Sequence, residues 1–312
     1  MRRVLFVTWD GPGQSYLPSL FFPIFSGLAA HGYRVDVLQH TTATQTSADA
    51  TAAAAASAGV SYVAHLVSPR WGRAGLPAVV VRGAVSLVRV AREQKIEALF
   101  PRSLIPAAMA LLACRMAPEL RLIFDADGLM ADERVDFTGL DPRSPFYRIL
   151  RDVEAEAVRR STAVITRTTR ARSILGARAG AGTSEAKSFV VPNGKDAVLF
   201  APRDAESCAA VRAARGIGPS TPWLVYVGAL GPQYFPEAML SIAAKVRERR
   251  PDARFTLFTR HAAAAAVALR GADVTGVEVD ELAPERVPEV LAAADLGIAL
   301  RATTFSQTAV SP

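Results

Sequence analysis

The chain has 312 residues, of which 50% are hydrophobic and 21% are charged. This length suits two domains of ordinary size, and this composition is typical of a soluble globular protein and excludes a disordered one. The formal net charge of +7 suits an anionic partner such as a nucleotide or a phospholipid, or reflects only solvated helix faces. The sequence contains no zinc finger, RNA-binding aromatic signature or dense basic arm, so we expect no nucleic-acid partner.

Cysteine usage and hydropathy predict a cytoplasmic location. Cys114 and Cys208 stand alone, without the spacing of a metal site, so neither a disulfide nor a zinc site is expected. The longest apolar stretch, residues 76–90, is interrupted by Arg82 and Arg89, which argues against a membrane span. The apolar segment at the N-terminus is too short for a signal peptide.

Strands alternate with helices through the first half of the chain, which predicts a parallel α/β sheet. The predicted strands cover residues 3–8, 33–38, 60–66, 96–100, 121–124, 163–166 and 189–191. The main predicted helices cover residues 19–30, 48–58, 76–94, 105–116 and 145–160. Residues 125–144 are predicted to form a long loop after a strand, where open α/β sheets bind ligands.

The second half repeats the alternation with fewer strands. Strands are predicted at residues 223–227, 255–258, 276–279 and 296–300, with helices at 204–215, 236–249 and 284–293 among them. A doubly wound sheet usually has about six strands. We therefore expect either an unusually small second sheet or a chain that stops within a strand-to-helix connection, and we favour the second.

A short apolar strand that ends at Pro192 separates the two halves. Asn193 and Gly194 follow as a predicted turn, and Pro202 stiffens the linker before Asp204 begins the next helix. We therefore predict a first domain over residues 1–192, a linker over 193–203 and a second domain over 204–312, with Pro192, Asn193 and Gly194 as the hinge residues.

Two motifs follow strands of the first half. Gly11-Pro12-Gly13 stands between a strand and a helix, where backbone amides meet an anion, although a purely structural turn remains an alternative. The sequence lacks the third glycine and the acidic residue after the second strand that a dinucleotide site requires, so such a site is not expected. Asp125 and Asp127 form either a carboxylate pair for a divalent metal or a strand cap with a loop start, and we favour the second interpretation.

Two further features have the residue types of functional sites. His31, His40, His65 and His261 stand at element ends with no nucleophile elbow nearby, so we interpret them as structural and expect no hydrolase chemistry. Residues 68–73, which contain Trp71 and two arginines, are similar to an interfacial segment at lipid headgroups, and an ordinary surface loop is the alternative.

The segment between the halves also carries a family resemblance. Val191-Pro192-Asn193-Gly194, with Asp196, Phe200 and Pro202, resembles the "VPNGxDxxxFxP" pattern of family-four retaining glycosyltransferases, which have the two-domain GT-B fold. Further similar runs are Glu154 with residues 163–166, Phe124 with Asp132 and Glu133, residues 226–231, and residues 294–312. The similarity spans nearly the whole chain.

The resemblance implies two Rossmann-like domains that face a cleft, the second of them incomplete. The first would bind a glycan or lipid-linked acceptor, and the second a UDP- or GDP-linked sugar, with retention at the transferred carbon. Neither a metal nor a cofactor is implied. The implied setting is cell-envelope or exopolysaccharide synthesis in the cytoplasm, with peripheral contact at the inner face of the membrane.

Candidate site residues follow from these patterns, while the catalytic residues stay unassigned. Donor-binding candidates are Gly228, Ala229, Leu230, Gly231, Arg260, Arg301 and Ser311. Acceptor-side candidates are Gly11, Pro12, Gly13, Arg102, Ser103, Asp125, Asp127 and Gly128. Many relatives carry an arginine and a lysine in the donor loop, where this chain has Ala229 and Gln233-Tyr234, so Arg301, Arg260 or Arg102 would supply the charge. An inactive GT-B-like binding protein is the alternative, and a nucleotide-sugar epimerase is a more distant one.

Overall fold

The computed structural model describes residues 1–11, 16–67, 75–180, 185–270, 272 and 275–310. The chain forms two compact units. The first comprises Met1–Asn193 with Thr308–Ser311, and the second contains Gly194–Gln307. Among the described residues, no helix is both long enough and apolar enough to cross a membrane.

The first unit is built on a seven-stranded parallel sheet with the order β3-β2-β1-β4-β5-β6-β7. The strands are β1 (Arg2–Asp10), β2 (Tyr33–Thr41), β3 (Tyr62–Leu66), β4 (Ala98–Pro101), β5 (Arg121–Asp125), β6 (Ala163–Thr166) and β7 (Ser188–Val190). The strand order reverses between β1 and β4. Open parallel sheets bind ligands at the carboxyl ends of the strands beside such a reversal.

Seven α-helices connect the described strands of this unit. They are α1 (Phe22–Ala29), α2 (Gln45–Ser57), α3 (Leu76–Gln94), α4 (Leu104–Met116), α5 (Met130–Thr138), α6 (Pro145–Arg160) and α7 (Thr169–Ala179). A π-helical turn over Leu17–Phe21 precedes α1. Thr44, Ser144 and Thr168 cap α2, α6 and α7. The side-chain oxygen of each accepts a hydrogen bond from the backbone amide three residues later.

The alternation of side chains along β1 builds two apolar layers. Leu5 and Val7 face the layer that contains α3, α4 and α6, whereas Phe6 packs with Phe21 and Phe25 on the opposite side. Successive side chains of a strand point to opposite faces, so a run that is apolar at every position fits a sheet covered on both sides. The parallel α/β prediction for this half is confirmed.

The predicted loop over residues 125–144 was wrong in its middle, because α5 occupies Met130–Thr138. Asp132 and Glu133 lie in the first turn of α5, where acidic side chains complement the helix dipole. Gly139 ends the helix with φ +68°, a conformation that glycine adopts without steric cost. The polar composition of this segment predicted a loop, but an ion pair between Arg178 and Asp132 stabilises a short helix there.

The second unit contains a four-stranded parallel sheet with the order β10-β9-β8-β11. Its strands are β8 (Trp223–Val227), β9 (Arg254–Phe258), β10 (Val277–Asp280) and β11 (Leu296–Gly297). Its helices are α8 (Ala205–Ala213), α9 (Pro236–Arg249), α10 (Ala262–Ala268) and α11 (Val287–Ala293). Asp204 caps α8, as its position in the sequence predicts.

Two local predictions need correction. The strand predicted at 296–300 pairs as a strand only over Leu296–Gly297, because the chain then leaves the sheet and Leu300 accepts a hydrogen bond from the amide of Phe235. The turn predicted at Asn193 and Gly194 is not formed, because the turn in this segment begins only at residue 197 and neither of the two residues has a positive φ.

Candidate functional site

A buried ion network lies at the carboxyl ends of β4, β5 and β6 in the first unit. Asp125, only 1% exposed, accepts hydrogen bonds from Arg102 at 2.9 Å and from Arg167 at 2.6 Å. The second guanidinium nitrogen of Arg102 donates to Asp127 at 2.5 Å. Two arginines therefore face two carboxylates, and each charge has a partner of opposite sign within the protein.

The charges in this network depend on one another. Burial acts to lower the pKa of Arg102, but the carboxylates of Asp127 and Asp125 outweigh it and raise that pKa. Burial raises the pKa of Asp127 against the opposing effect of Arg102, with a further contribution from the nearby Asp125 carboxylate. Within the described residues, no group of three or more His, Cys, Asp or Glu side chains could hold a metal ion.

The backbone at the same edge adopts conformations that side-chain-bearing residues rarely take. Ser103 has φ 68° and ψ −177°, and Asp127 has φ 63°. Such conformations cost about 1–3 kcal/mol each and cluster at functional sites. Ser103 is held because its amide donates to the carbonyl of Asp125 at 3.1 Å, and it begins α4 directly after β4. The strained residue thus fixes where the first turn of α4 meets the strand ends.

Asp10, at the end of β1, extends the polar edge across the strand reversal. Its Oδ2 accepts hydrogen bonds from Thr8 at 3.1 Å and Gln39 at 3.0 Å, and Tyr62 donates to Gln39 at 2.5 Å. The Asp10 carboxylate contributes to the raised pKa of Arg102, so the two groups interact. Sequence reasoning missed Asp10, Gln39 and Arg167, although two of them directly end or follow a buried strand, which is a readable signal.

The glycine candidates of the first unit are described only in part. Gly11 has open space where a Cβ would stand, whereas a Cβ on Gly128 would lie 3.0 Å from Oε1 of Glu133. Pro12, Gly13, Ser311 and the predicted interfacial segment 68–73 lie outside the described residues.

The acidic residues that matched the family pattern form a separate buried cluster. Arg178 on α7 donates to Asp132 on α5 at 2.7 Å and to Glu154 on α6 at 3.2 Å. Burial raises the pKa of Glu154, and Arg178 and Arg151 oppose it. This cluster ties α5, α6 and α7 together and lies apart from the ion network at the strand ends.

The loop between β8 and α9 is the corresponding feature of the second unit. The amide of Gly228 donates to the carbonyl of Phe258 at 3.0 Å, and Tyr226 Oη donates to the carbonyl of Ala229. His261 Nδ1 lies 3.1 Å from the amide nitrogen of Leu230 and 2.7 Å from its carbonyl oxygen. His261 was interpreted as structural, and here it holds the loop that carries the predicted donor residues.

Two amides of this loop stay available. Within the part of the chain that the structure describes, the amides of Ala229 and Gly231 donate to no protein group. Gly228 is sterically required, because a Cβ there would lie 2.9 Å from the Tyr226 hydroxyl that binds Ala229. The loop between β8 and α9 therefore presents two backbone N–H donors, and such donors suit a negatively charged group.

Arg301 lies against this loop. Its guanidinium lies 5.2 Å from the ring centre of Tyr234 and donates to Gln307 at 2.9 Å, while the amide of Ala302 donates to the carbonyl of Gln233 at 2.9 Å. Among the described residues, Arg301 has no carboxylate within salt-bridge distance. Arg260, in contrast, pairs with Glu281 at 3.5 Å on the exposed surface.

Parallel α/β units of this kind define the class. The first unit has a seven-stranded parallel sheet whose strand order reverses between β1 and β4, and a second parallel α/β unit follows it. This is the fold of the GT-B glycosyltransferases. The sequence matches the model of Glycosyltransferase Family 4 over residues 24–199, more than half of the chain. The chain belongs to this family, and the resemblance seen in the sequence is confirmed. No curated protein matches the chain by sequence.

Solved structures agree on the fold. HepE of Anabaena, solved in complex with UDP and glucose, is 15% identical with a TM-score of 0.66, and the alignment covers 95% of this chain and 73% of that one. Sucrose-phosphate synthase of Thermosynechococcus elongatus is 13% identical with a TM-score of 0.62, covering 95% and 75%. UDP-GlcNAc 2-epimerase of Neisseria meningitidis, bound to UDP-GlcNAc, is 13% identical with a TM-score of 0.55, covering 93% and 75%.

Proposed function

We propose that this protein transfers a hexosyl group from a UDP- or GDP-linked sugar to a glycan or lipid-linked acceptor, with retention at the anomeric carbon. The second unit binds the donor and the first unit binds the acceptor. The reaction serves cell-envelope or exopolysaccharide synthesis, in the cytoplasm or at the inner face of the membrane. Family membership supports the transferase assignment, and HepE was solved in complex with UDP and glucose.

One observation carries the proposal: the donor loop of the second unit combines unpaired backbone donors with a cation that no carboxylate neutralises. Arg301 is positioned by Tyr234 and Gln307, and the amides of Ala229 and Gly231 have no acceptor within the described residues. A nucleotide diphosphate gains negative charge as the sugar leaves. Preorganised amides and a cation stabilise that charge without reorganisation, and this is the main electrostatic route to catalysis of such a transfer.

The same arrangement supports a reaction that does not require a divalent metal. A metal at a nucleotide diphosphate is usually held by carboxylates, and the paired carboxylates Asp125 and Asp127 of the first unit are engaged by Arg102 and Arg167. The guanidinium of Arg301 and the loop amides would neutralise the leaving group instead. Arg260 remains a weaker candidate, because Glu281 already lies beside it.

Transfer can be tested directly with the full chain. The protein is incubated with UDP-, GDP- and ADP-linked hexoses and with a prenyl-phosphate acceptor, with and without EDTA, and free nucleotide is measured over time. We expect release from one donor at an unchanged rate in EDTA. The anomeric proton coupling of the product, read by NMR, reports retention, and an inverted product or loss of activity in EDTA would contradict that part of the proposal.

A catalytically inactive binding protein is the second candidate. The departure at Ala229 and Gln233-Tyr234 favours it, because the usual loop cations are replaced by neutral residues. A protein of this kind would bind the nucleotide sugar and release no nucleotide with any acceptor. Binding without turnover across the donor and acceptor panel would select this candidate over the transferase.

A further inference from the structure

A pocket of about 570 Å³ opens at the carboxyl ends of β2 and β3 beside α3. None of its lining residues belongs to the ion network of the first unit. Its volume lies within the range of about 300–1,000 Å³ that small-molecule sites occupy. The lining residues that bear on its chemistry are His40, His65, Leu66, Val85, Ser86 and Arg89. Both histidines were interpreted from the sequence as structural, and none of the six was expected to bind a ligand.

The register of the sheet places three aromatic rings side by side next to this pocket. His40 on β2 lies opposite Trp9 on β1 and His65 on β3, and side chains at such paired positions project from the same face of the sheet. The His40 ring stacks on Trp9 with ring centres 6.1 Å apart and meets His65 edge-on at 5.2 Å. His40 is therefore fixed between its two neighbours, and its ring nitrogens keep a defined direction.

Two buried polar atoms of the pocket have no hydrogen-bond partner among the described residues. They are His40 Nε2 and Ser86 Oγ, and both residues line the pocket. His40 is only 4% exposed. A buried polar atom without a partner destabilises the folded chain, and a bound molecule that pairs with it removes that cost. We call His40 and Ser86 the polar floor of the pocket.

The polar floor is uncharged. Burial, with a smaller contribution from His65, lowers the pKa of His40 to about 4, and burial also lowers the pKa of His65. Both imidazoles are therefore neutral at pH 7. A neutral imidazole nitrogen donates or accepts according to its tautomer, and the serine hydroxyl does both. A ligand hydroxyl can pair with either floor atom in either state, whereas a phosphate or a carboxylate can only accept.

The cations of the pocket lie on α3 and are already engaged. Arg82 and Arg89 are exposed residues of the helix face that lines the pocket. Arg89 pairs with Glu93 at 3.7 Å, and Arg82 has an interaction of its own. The hydrogen bonds that the pocket still lacks thus belong to its uncharged floor and not to these charges.

Apolar surface adjoins the polar floor. Leu66 is 49% exposed and Val85 is 51% exposed, and Val79 also lines the pocket. Exposed apolar side chains grouped around a pocket mark a binding surface. A sugar ring presents hydroxyl groups at its edge and C–H groups on its face, so it matches the floor and this apolar wall together. A purely apolar chain would leave the two floor atoms unpaired.

We propose that this pocket binds a neutral sugar ring of a glycan acceptor, with ring hydroxyls hydrogen-bonded to the polar floor and the C–H face against Leu66 and Val85. The inference rests on the proposed function for the role of this sugar as an acceptor, and it selects a glycan over a lipid-linked phosphate. Binding of the sugar itself does not depend on transfer, so it can be measured without a donor.

Ligand-observed NMR titration of the full chain tests this with the methyl glycosides of glucose, galactose and mannose, each beside the corresponding uronate. We expect at least one neutral glycoside to bind saturably and at least about fivefold more tightly than its uronate, because a carboxylate loses hydration and gains no partner at an uncharged floor. If the uronates bind as tightly as the glycosides or more tightly, the ligand is anionic and the proposal fails. Failure of all three glycosides to saturate the protein would also overturn it.

Matched variants locate the site. Ser86→Ala removes one floor hydroxyl and should weaken glycoside binding about fivefold, since a neutral hydrogen bond is lost. The same variant should unfold at an equal or higher urea concentration, because a buried hydroxyl without a partner is removed, whereas loss of a merely structural hydroxyl would lower that midpoint. His40→Phe keeps a ring between Trp9 and His65 and should weaken glycoside binding to a similar extent.

The control variant Ser173→Ala changes an exposed serine of α7 outside the pocket lining and should leave glycoside binding unchanged. Unchanged binding in both Ser86→Ala and His40→Phe, or equal weakening in the control, would overturn the assignment.

Nucleotide binding by the same samples separates this inference from the proposed function. If UDP or GDP binds but no glycoside does, only the pocket assignment fails. If a glycoside binds with the expected variant pattern and no nucleotide binds, the donor assignment fails while the pocket stands as a saccharide site.

Discussion

Arg102 and Arg301 each follow a strand of a parallel sheet, but their surroundings differ. In the first unit, Arg102 is buried between the carboxylates of Asp125 and Asp127. In the second, Arg301 rests on Tyr234 and Gln307 with no carboxylate within salt-bridge distance among the described residues. The first arginine is already neutralised by the protein, and the second carries a charge that a ligand can neutralise.

The backbone shows the same contrast. All non-glycine residues with a positive φ in the described part of the chain lie in the first unit, at Lys95, Ser103 and Asp127. In the second unit, the loop between β8 and α9 contains Gly228 and Gly231 and is held by contacts with His261. In the first unit, buried ion pairs and strained residues thus hold the strand ends in place. In the second unit, the amides of Ala229 and Gly231 and the guanidinium of Arg301 are available to a ligand.

The largest effect expected from this contrast is on stability in the first unit. Asp125→Ala removes the shared partner of Arg102 and Arg167, so it leaves the buried Arg167 guanidinium without a carboxylate and Arg102 with Asp127 alone. We expect the free energy of unfolding to fall by about 3–5 kcal/mol, measured by urea denaturation with circular dichroism. Asp252→Ala breaks the half-exposed pair with Arg250 and serves as the control, with a much smaller expected loss because exposed ion pairs contribute little. Similar losses in both variants would contradict the view that the network is structural.

The next effect concerns the second unit. Arg301→Ala should weaken binding of the preferred nucleoside diphosphate about 50-fold, because a charge-assisted contact is lost. Folding should change little, since Arg301 has no buried ion pair to break. Calorimetry compares this variant with Arg260→Ala and with the exposed control Arg249→Ala. The loss of nucleotide affinity in each variant ranks the three arginines. A larger loss in Arg260→Ala than in Arg301→Ala would reverse the assignment.

The third prediction concerns pH and the first unit. Burial, and then the neighbouring His65, lowers the pKa of His40 from 6.5 to about 4. The unfolded chain therefore binds a proton between these values while the folded chain does not, so stability falls as pH falls from 7.5 towards 4. Linkage gives a loss of about 2 kcal/mol by pH 5. His40→Asn should flatten this dependence in denaturation experiments, and an unchanged slope would show that His40 is not the titrating group.

The smallest expected effect is a gain. Ser103→Gly places a residue without a Cβ at φ 68° and ψ −177°, so it relieves local strain at the start of α4. The greater freedom of glycine in the unfolded chain offsets part of this gain. We expect a net stabilisation of about 1 kcal/mol. Ser207→Gly in α8 should destabilise instead, because it places glycine in a helix and removes the hydroxyl that donates to Asp204 at 2.8 Å. Destabilisation in both variants would indicate that Ser103 is not strained.

Much of the fold could be predicted from the sequence because it rests on local pattern. The run from Val4 to Val7 is apolar at each position and became a strand covered on both faces, and Asp204 capped α8 as expected. The segment that contains α5 could not be predicted in this way. Its stability depends on Arg178, which is 46 residues away from Asp132 in the chain, and no local signal reports such a partner.

The site was predictable as a set of strand ends but not as a set of charges. Gly228 to Gly231 and Arg301 could be selected because they follow strands. The contacts of the site residues are not encoded by spacing in the sequence. His261 contacts Leu230, 31 residues away, and Asp125 pairs with Arg102 and Arg167, which follow different strands. The domain boundaries and the hinge at Pro192 to Gly194 stay predictions, as do the assigned donor and acceptor residues.

The central claim is that the donor loop of the second unit binds a nucleoside diphosphate through Arg301 and free amides. Calorimetric titration of the full chain with UDP, GDP and ADP, each beside its monophosphate, tests it most directly. The account predicts that at least one diphosphate binds about tenfold more tightly than its monophosphate, because the second phosphate meets the loop. Equal affinity for diphosphate and monophosphate, or no binding of any of the six, would contradict it.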